Sequence, residues 1–185
     1  KIKQMIPFID LKRQHFFLGQ KIESSIRKVV SRGDFILGRE VVLFEKKFAQ
    51  YCGTKYAVGV ACGTDAILLS LKALGIGHSD EVIIPVNTFI ATVLPVISLG
   101  AIPIFVDIDK KTYNIDANKI EEKITKKTKA IIPVHLYGQI ADMEKIMSLA
   151  KKYKLYVIED ACQAHGSKYK EKKAGSFGNI ACFSF

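Results

Sequence analysis

Asp160 closes the apolar run Leu155 to Ile158 through Ile158-Glu159-Asp160, so its carboxyl group is expected at the carboxyl end of a buried strand. A carboxylate there can pair with the nitrogen of a pyridinium ring and keep that ring protonated, which turns it into an electron sink. The same Asp could instead cap a following helix. Upstream, Val60-Ala61-Cys62-Gly63-Thr64-Asp65-Ala66 joins an apolar run to a helical pattern. Gly63 lets the backbone approach an anion closely, and the Thr64 hydroxyl and the first helical N–H groups can donate to a phosphate. A plain turn with Thr64 or Asp65 as N-cap is the alternative. Phe89, in Asn87-Thr88-Phe89, follows the run ending at Pro85 and could stack on a flat ring or join the core. His135 and His165 could titrate or touch a ring, or serve as satisfied structural residues. Ser184, in Phe183-Ser184-Phe185, says nothing alone. In order, however, a phosphate turn, an aromatic, an acidic strand end and a late serine make up the parts of a pyridoxal-phosphate (PLP) site.

These residues need a scaffold, and the hydrophobic rhythm supplies one. Ile22, Ile26, Val29 and Val30 repeat at helical spacing up to the break at Arg32-Gly33-Asp34, and Val41, Val42, Phe44, Phe48 and Tyr51 do so before Gly53. From there short branched runs alternate with helical patterns. The runs are Tyr56 to Val60, Glu81 to Pro85, Ile102 to Val106, Ala130 to Val134, Leu155 to Ile158 and Ile180 to Phe185. The helical patterns are Asp65 to Leu74, Phe89 to Leu99, Asp116 to Ile124 and Asp142 to Tyr153. Strands apolar on both faces, alternating with helices, indicate an α/β fold with a mostly parallel sheet flanked by helices. Ligands of such sheets bind beyond the carboxyl ends of the strands, where these candidates fall. The expected division is a helical segment over residues 1–55 and an α/β domain over 56–185. A chain stopping on a strand-like run leads us to expect further sheet.

Composition narrows the function. With 49% hydrophobic residues, the 185-residue chain can bury a sizeable core. The net charge of +10 raises nucleic-acid binding. The lysines are spread out, however, and Glu121 and Glu122 interrupt their densest group, Lys119 to Lys129. No nucleic-acid partner is expected, although the potential would suit an anionic substrate. No apolar run approaches the ~18 residues of a membrane span, and Lys1-Ile2-Lys3-Gln4-Met5 lacks the features of a secretory leader. A cytoplasmic protein is expected. Cys52, Cys62, Cys162 and Cys182 form no C-x-x-C pair, so neither zinc nor a redox dithiol is indicated, and buried reduced thiols are expected. No metal site is expected, and no dinucleotide fingerprint or P-loop occurs.

The ordered stretches Gly33-Asp34-Phe35-Ile36-Leu37-Gly38, Cys62-Gly63-Thr64-Asp65-Ala66, Thr88-Phe89-Ile90-Ala91-Thr92, Pro133-Val134-His135-Leu136-Tyr137-Gly138-Gln139 and Ile158-Glu159-Asp160-Ala161-Cys162-Gln163-Ala164-His165-Gly166 carry a resemblance. With them the chain resembles the DegT/DnrJ/EryC1/StrS family of PLP-dependent sugar aminotransferases. The resemblance implies the N-terminal part of the large domain of an aspartate aminotransferase-like, fold-type-I PLP enzyme. It implies that Gly63, Thr64, Asp65 and Ser184 hold the cofactor phosphate. It further implies that Phe89 stacks on the ring, Asp160 pairs with the ring nitrogen and Gln163 contacts the ring hydroxyl oxygen. The Schiff-base lysine of the family would fall just beyond Phe185. Cys62 and Cys162 depart from the residues usual at their positions, and both are small enough to fit.

The implied reaction moves an amino group from an amino acid, expected to be glutamate, to a nucleotide-linked keto sugar in amino-sugar biosynthesis. The Gly-Thr-Asp-Ala turn resembles members that aminate carbon 3 rather than carbon 4. A homodimer is implied. The rivals are a PLP-dependent keto-deoxysugar dehydratase of the same family, with histidine in place of the lysine, and a non-catalytic relative.

Overall fold

Val, Ile and Phe in short runs build the sheet because their branched or flat side chains pack on a pleated surface buried on both sides. The computed structural model describes residues 6–185, and the opening Lys1–Met5, read above for a leader, lies outside them. Five parallel strands form the main sheet: β1 (Glu81–Pro85), β2 (Ile102–Val106), β3 (Thr128–Ile131), β4 (Tyr156–Asp160) and β7 (Ile180–Cys182), in the order β2-β1-β3-β4-β7. A two-stranded antiparallel hairpin, β5 (Lys168–Tyr169) with β6 (Lys172–Lys173), precedes the last of them.

The period of two along each strand sorts side chains to two cores. Val82, Ile84, Ala130, Ile158 and Cys182 face α3 (Gly63–Ala73) and α4 (Ile90–Ser98), meeting Ile67, Leu71, Val93 and Val96. Ile83, Val106, Ile131 and Val157 face the other way, onto Met143, Ile146 and Ala150 of α5 (Met143–Tyr153) and onto Ala117 and Ile120. The sheet order reverses at β1, whose neighbours are β2 on one side and β3 on the other. Such a reversal opens a crevice at the carboxyl edge of the strands.

By contact the chain divides into two units, Lys1–Lys46 and Lys47–Phe185. The first carries α1 (Leu11–Arg32), capped at its start by Asp10 accepting from the Arg13 N–H and ended by Gly33 at φ 71°. Only a residue without Cβ enters that left-handed conformation freely. Helix α2 (Arg39–Cys52) begins in the first unit and ends in the second. No helix of the described residues is long and apolar enough to cross a membrane.

Three expected elements differ. Tyr56 to Val60 is irregular and outside the sheet, with Tyr56 and Val58 exposed. An apolar run becomes a strand only where a ladder partner takes its backbone groups. Asp116 to Ile124 folds as two 3₁₀ turns, Ala117–Lys119 and Glu121–Lys123. Only Ala117 and Ile120 are buried there, at the i, i+3 spacing that such turns eclipse. The last run keeps strand geometry only over Ile180–Cys182, which leaves Ser184 beyond the strand.

Candidate active site

The phosphate-type turn is anchored from beneath. Ile67 and Leu71 of α3 are fully buried, and each such side chain contributes about 1.5–3 kcal/mol by leaving water. A cap contributes ~1 kcal/mol, so core packing, more than capping, fixes the start of the helix. The N-cap is Cys62, whose Sγ accepts from the Asp65 N–H at 3.5 Å, and not Thr64 or Asp65. The Ala66 N–H donates to the Cys62 carbonyl. The Gly63 and Thr64 N–H groups, in the first turn, have no acceptor within the helix.

Gly63 is buried and tightly enclosed. A Cβ at that position would lie 2.9 Å from Cys162 Sγ and 3.0 Å from Ser184 Cβ. The start of α3, the loop after β4 and the residues after β7 therefore meet at one point, although Gly63 and Ser184 lie far apart in sequence.

Asp160 ends β4, with 6% of its surface exposed. Its backbone is held on both sides: its N–H donates to the Pro133 carbonyl, its carbonyl accepts from the His135 N–H, and the Ala161 N–H donates to the Cys182 carbonyl. Its side chain points to the α3/α4 face. Oδ2 accepts from the Thr92 hydroxyl at 2.7 Å, and Oδ1 accepts from the Cys162 N–H at 3.3 Å. Asp160 thus caps no helix. Cys162 links the turn to the acid, since its N–H touches Asp160 and its sulfur lies against Gly63.

Glu159, one residue earlier, points to the opposite face and is fully buried. Oε1 accepts from the Phe177 and Gly178 N–H groups at 2.8 and 2.7 Å. Oε2 accepts from the Gly175 N–H at 2.8 Å and from His135 Nε2 at 2.9 Å. His135 Nδ1 in turn accepts from the Ala141 N–H at 3.3 Å, which assigns the ring proton to Nε2. Burial works to raise the Glu159 pKa, but the donors from His135, Gly178 and Gly175 outweigh it and hold the carboxyl below its ordinary value. This pair has a structural role: it straps the loop 175–178 and the turn after β3 to the strand that carries Asp160. Its signal was a charged residue inside an apolar strand, which demands buried partners.

Phe89 occupies the N-cap position of α4 with 71% of its surface exposed, so it is outside the core. Gln163 is exposed on the loop after β4, and its Oε1 accepts from the Tyr137 N–H at 2.8 Å. With the oxygen engaged, the Gln163 NH₂ is the end left to donate. Tyr137 adopts φ 56° before Gly138 at φ 82°. His165 packs on the rings of Phe183 and Phe185, with centroids 5.3 and 4.8 Å away. The thiols are less uniform than expected: Cys52 and Cys182 are buried, Cys162 is half-buried and Cys62 is exposed. Burial, and then the Asp160 charge, pushes the Cys162 thiol far up, and burial pushes Cys182 up to about 12. Neither is a thiolate at neutral pH, so neither competes as a nucleophile.

These residues fit PLP. A helix start at Gly63, with Cys162 and Ser184 packed beside it, suits a phosphate. A buried carboxylate with both oxygens fixed suits a protonated ring nitrogen, and the Gln163 amide offers a donor suited to a ring oxygen.

Comparison with known proteins agrees with this chemistry. Residues 17–185 match the DegT/DnrJ/EryC1/StrS aminotransferase family. The chain is 54% identical over 181 residues to dTDP-3-amino-3,6-dideoxy-alpha-D-galactopyranose transaminase of Aneurinibacillus thermoaerophilus, covering 98% of this chain and 50% of that protein. The crystal structure of S. venezuelae DesV in complex with a ketimine intermediate superposes with a TM-score of 0.94 at 43% identity, over 97% of this chain and 48% of that one. NtdA of Bacillus subtilis with bound cofactor PMP gives a TM-score of 0.89 at 40% identity, over 98% of this chain and 41% of that one. The chain thus spans about half the length of the curated relatives it matches.

Proposed function

Since the chain belongs to the DegT/DnrJ/EryC1/StrS aminotransferase family, we propose that this protein moves an amino group from an amino acid, glutamate, to the keto carbon of a nucleotide-linked sugar. The observation that carries this reading is the buried Asp160 carboxylate at the carboxyl edge of the sheet, joined through Cys162 to the anion-type turn at Gly63. PLP is the proposed cofactor. Bound here, it would supply the electron sink that lets an amino group leave one carbon and join another.

The residues of the chain have distinct tasks in this reading. The Gly63 and Thr64 N–H groups and the Thr64 and Ser184 hydroxyls hold the phosphate, with Asp65 in the same first turn. Phe89 lies against one face of the ring and excludes water from it. Asp160 pairs with the ring nitrogen and holds a proton there, and the Gln163 NH₂ donates to the ring oxygen. Residues 1–55 form an N-terminal helical segment, and 56–185 contribute the α/β part of the cofactor domain. The 3-amino sugar in the name of the Aneurinibacillus relative supports amination at carbon 3. The exposed Ile22, Ile26 and Val30 of α1 support a second copy of the chain as partner. A cytoplasmic setting suits nucleotide-sugar substrates.

The test is Asp160→Asn in the intact protein, with transamination of a nucleotide-linked keto sugar as the assay. Turnover is expected to fall by orders of magnitude with the unfolding midpoint little changed. Near-normal turnover would overturn the assignment of Asp160.

A further inference from the structure

Thr92 departs from four serines on the helices of this chain. Ser25, Ser31, Ser70 and Ser98 each donate to the carbonyl four residues earlier, the usual fate of a helical hydroxyl. Thr92, on the first turn of α4 and 1% exposed, instead donates across to Asp160 Oδ2 at 2.7 Å. A hydroxyl has one proton. Because Thr92 spends its proton on the carboxylate, the 2.6 Å contact between the Thr88 and Thr92 hydroxyls must have Thr88 as donor. The chain of donation therefore runs one way, from Thr88 to Thr92 to Asp160.

The terminal torsion of an aspartate has broad wells, so burial alone does not fix the plane of its carboxylate. Two contacts do so here: the Cys162 N–H on Oδ1 and the Thr92 hydroxyl on Oδ2. The first comes from the loop of Asp160 itself and moves with it. The second comes from α4, which Val93 and Val96 lock into the core, so it ties the carboxylate to a separate rigid element.

Resting on the PLP reading above, we propose that Thr92 is a positioning residue for the ring-nitrogen carboxylate: oriented by Thr88, its hydroxyl aims Asp160 at the cofactor ring. Thr92 does not touch the reacting atoms; it acts through Asp160. The arrangement also accounts for a threonine in Ile90–Ser98, a helix otherwise apolar on its buried side.

The experiment is titration of the intact protein with PLP, followed by absorbance and read as a dissociation constant, in a double-mutant cycle. Thr92→Val keeps the shape and removes the hydroxyl. It is expected to weaken PLP binding about tenfold, the scale of a hydrogen bond to a charged group. Thr92→Ser is expected to restore most of that loss. In an Asp160→Asn background, Thr92→Val is expected to add less than about twofold, because residues acting through one contact are not additive. Thr88→Val, at a half-buried position, is expected to weaken binding in the same direction and carries the test should Thr92→Val not fold. Wild-type binding of PLP with unchanged binding in these variants overturns the inference alone, as does a full Thr92→Val effect in the Asp160→Asn background. Failure of the wild-type protein to bind PLP overturns the cofactor reading itself.

Discussion

Replacing Glu159 by Gln removes one charge and almost no volume, yet the structure makes it a costly change. Four donors converge on the carboxylate: Phe177 and Gly178 N–H on Oε1, Gly175 N–H and His135 Nε2 on Oε2. A glutamine has one oxygen, so its NH₂ must face one of these donor pairs. Facing Phe177 and Gly178, it opposes two backbone N–H groups. Facing Oε2's partners, it opposes Gly175. His135 could then accept only by moving its proton to Nδ1, against the Ala141 N–H. At least two buried donors are stranded in either case, at ~1–3 kcal/mol each, and the remaining bonds lose their charge assistance. We expect Glu159→Gln to destabilise the intact protein by about 3–5 kcal/mol. That corresponds to a fall in Tm of roughly 10 °C for a unit of this size. Urea unfolding gives the total, and amide exchange gives its location, with the fastest gain at Gly175, Phe177 and Gly178. A cost below about 1 kcal/mol, or unchanged exchange in that loop, would refute the reasoning.

Two further outcomes follow from the same geometry. Glu159 has a folded pKa below its ordinary 4.5, so between those values the unfolded chain binds a proton that the native one does not. The stabilisation it gives is complete above that ordinary value and is lost as pH falls through the folded value, so Glu159→Gln should flatten the acid limb of a stability–pH profile; a parallel profile would contradict this. Gly63→Ala would place its Cβ 2.9 Å from Cys162 Sγ and 3.0 Å from Ser184 Cβ. It should cost about 1–3 kcal/mol in urea unfolding and weaken PLP binding, and a variant matching wild type in both would contradict the enclosed turn.

What could be read from the sequence depended on whether a residue's neighbours in space were also its neighbours in the chain. β1 to β4 were legible because branched residues on both faces leave few alternatives to a buried parallel strand. Asp160 was legible because it ends such a run. Tyr56 to Val60 looks the same in sequence, but a strand also needs a partner, which composition does not encode. Asp116 to Ile124 has helical spacing over too few buried positions to outweigh the 3₁₀ alternative. The partners of Glu159 come from residues 135 and 175–178, and those of Asp160 from 92 and 162. Only Cys162 is close in sequence. Both Glu159 and Thr92 signalled themselves as polar residues in apolar segments, without indicating what they would bind.

The meeting of Gly63 with Ser184 also bears on how the protein is made. A ribosome delivers residues at about 5–20 per second, so the start of α3 emerges on the order of ten seconds before the serine that closes its cradle. Until Ser184 has emerged, a nascent chain can present the anion-binding turn but lacks its opposite wall. Capture of a phosphate ligand therefore reports that β7 has joined the sheet, and a ligand bound there adds its binding energy to this non-local closure. Supply of that ligand during expression would then favour the closed unit, acting as a checkpoint on folding as well as a requirement for chemistry.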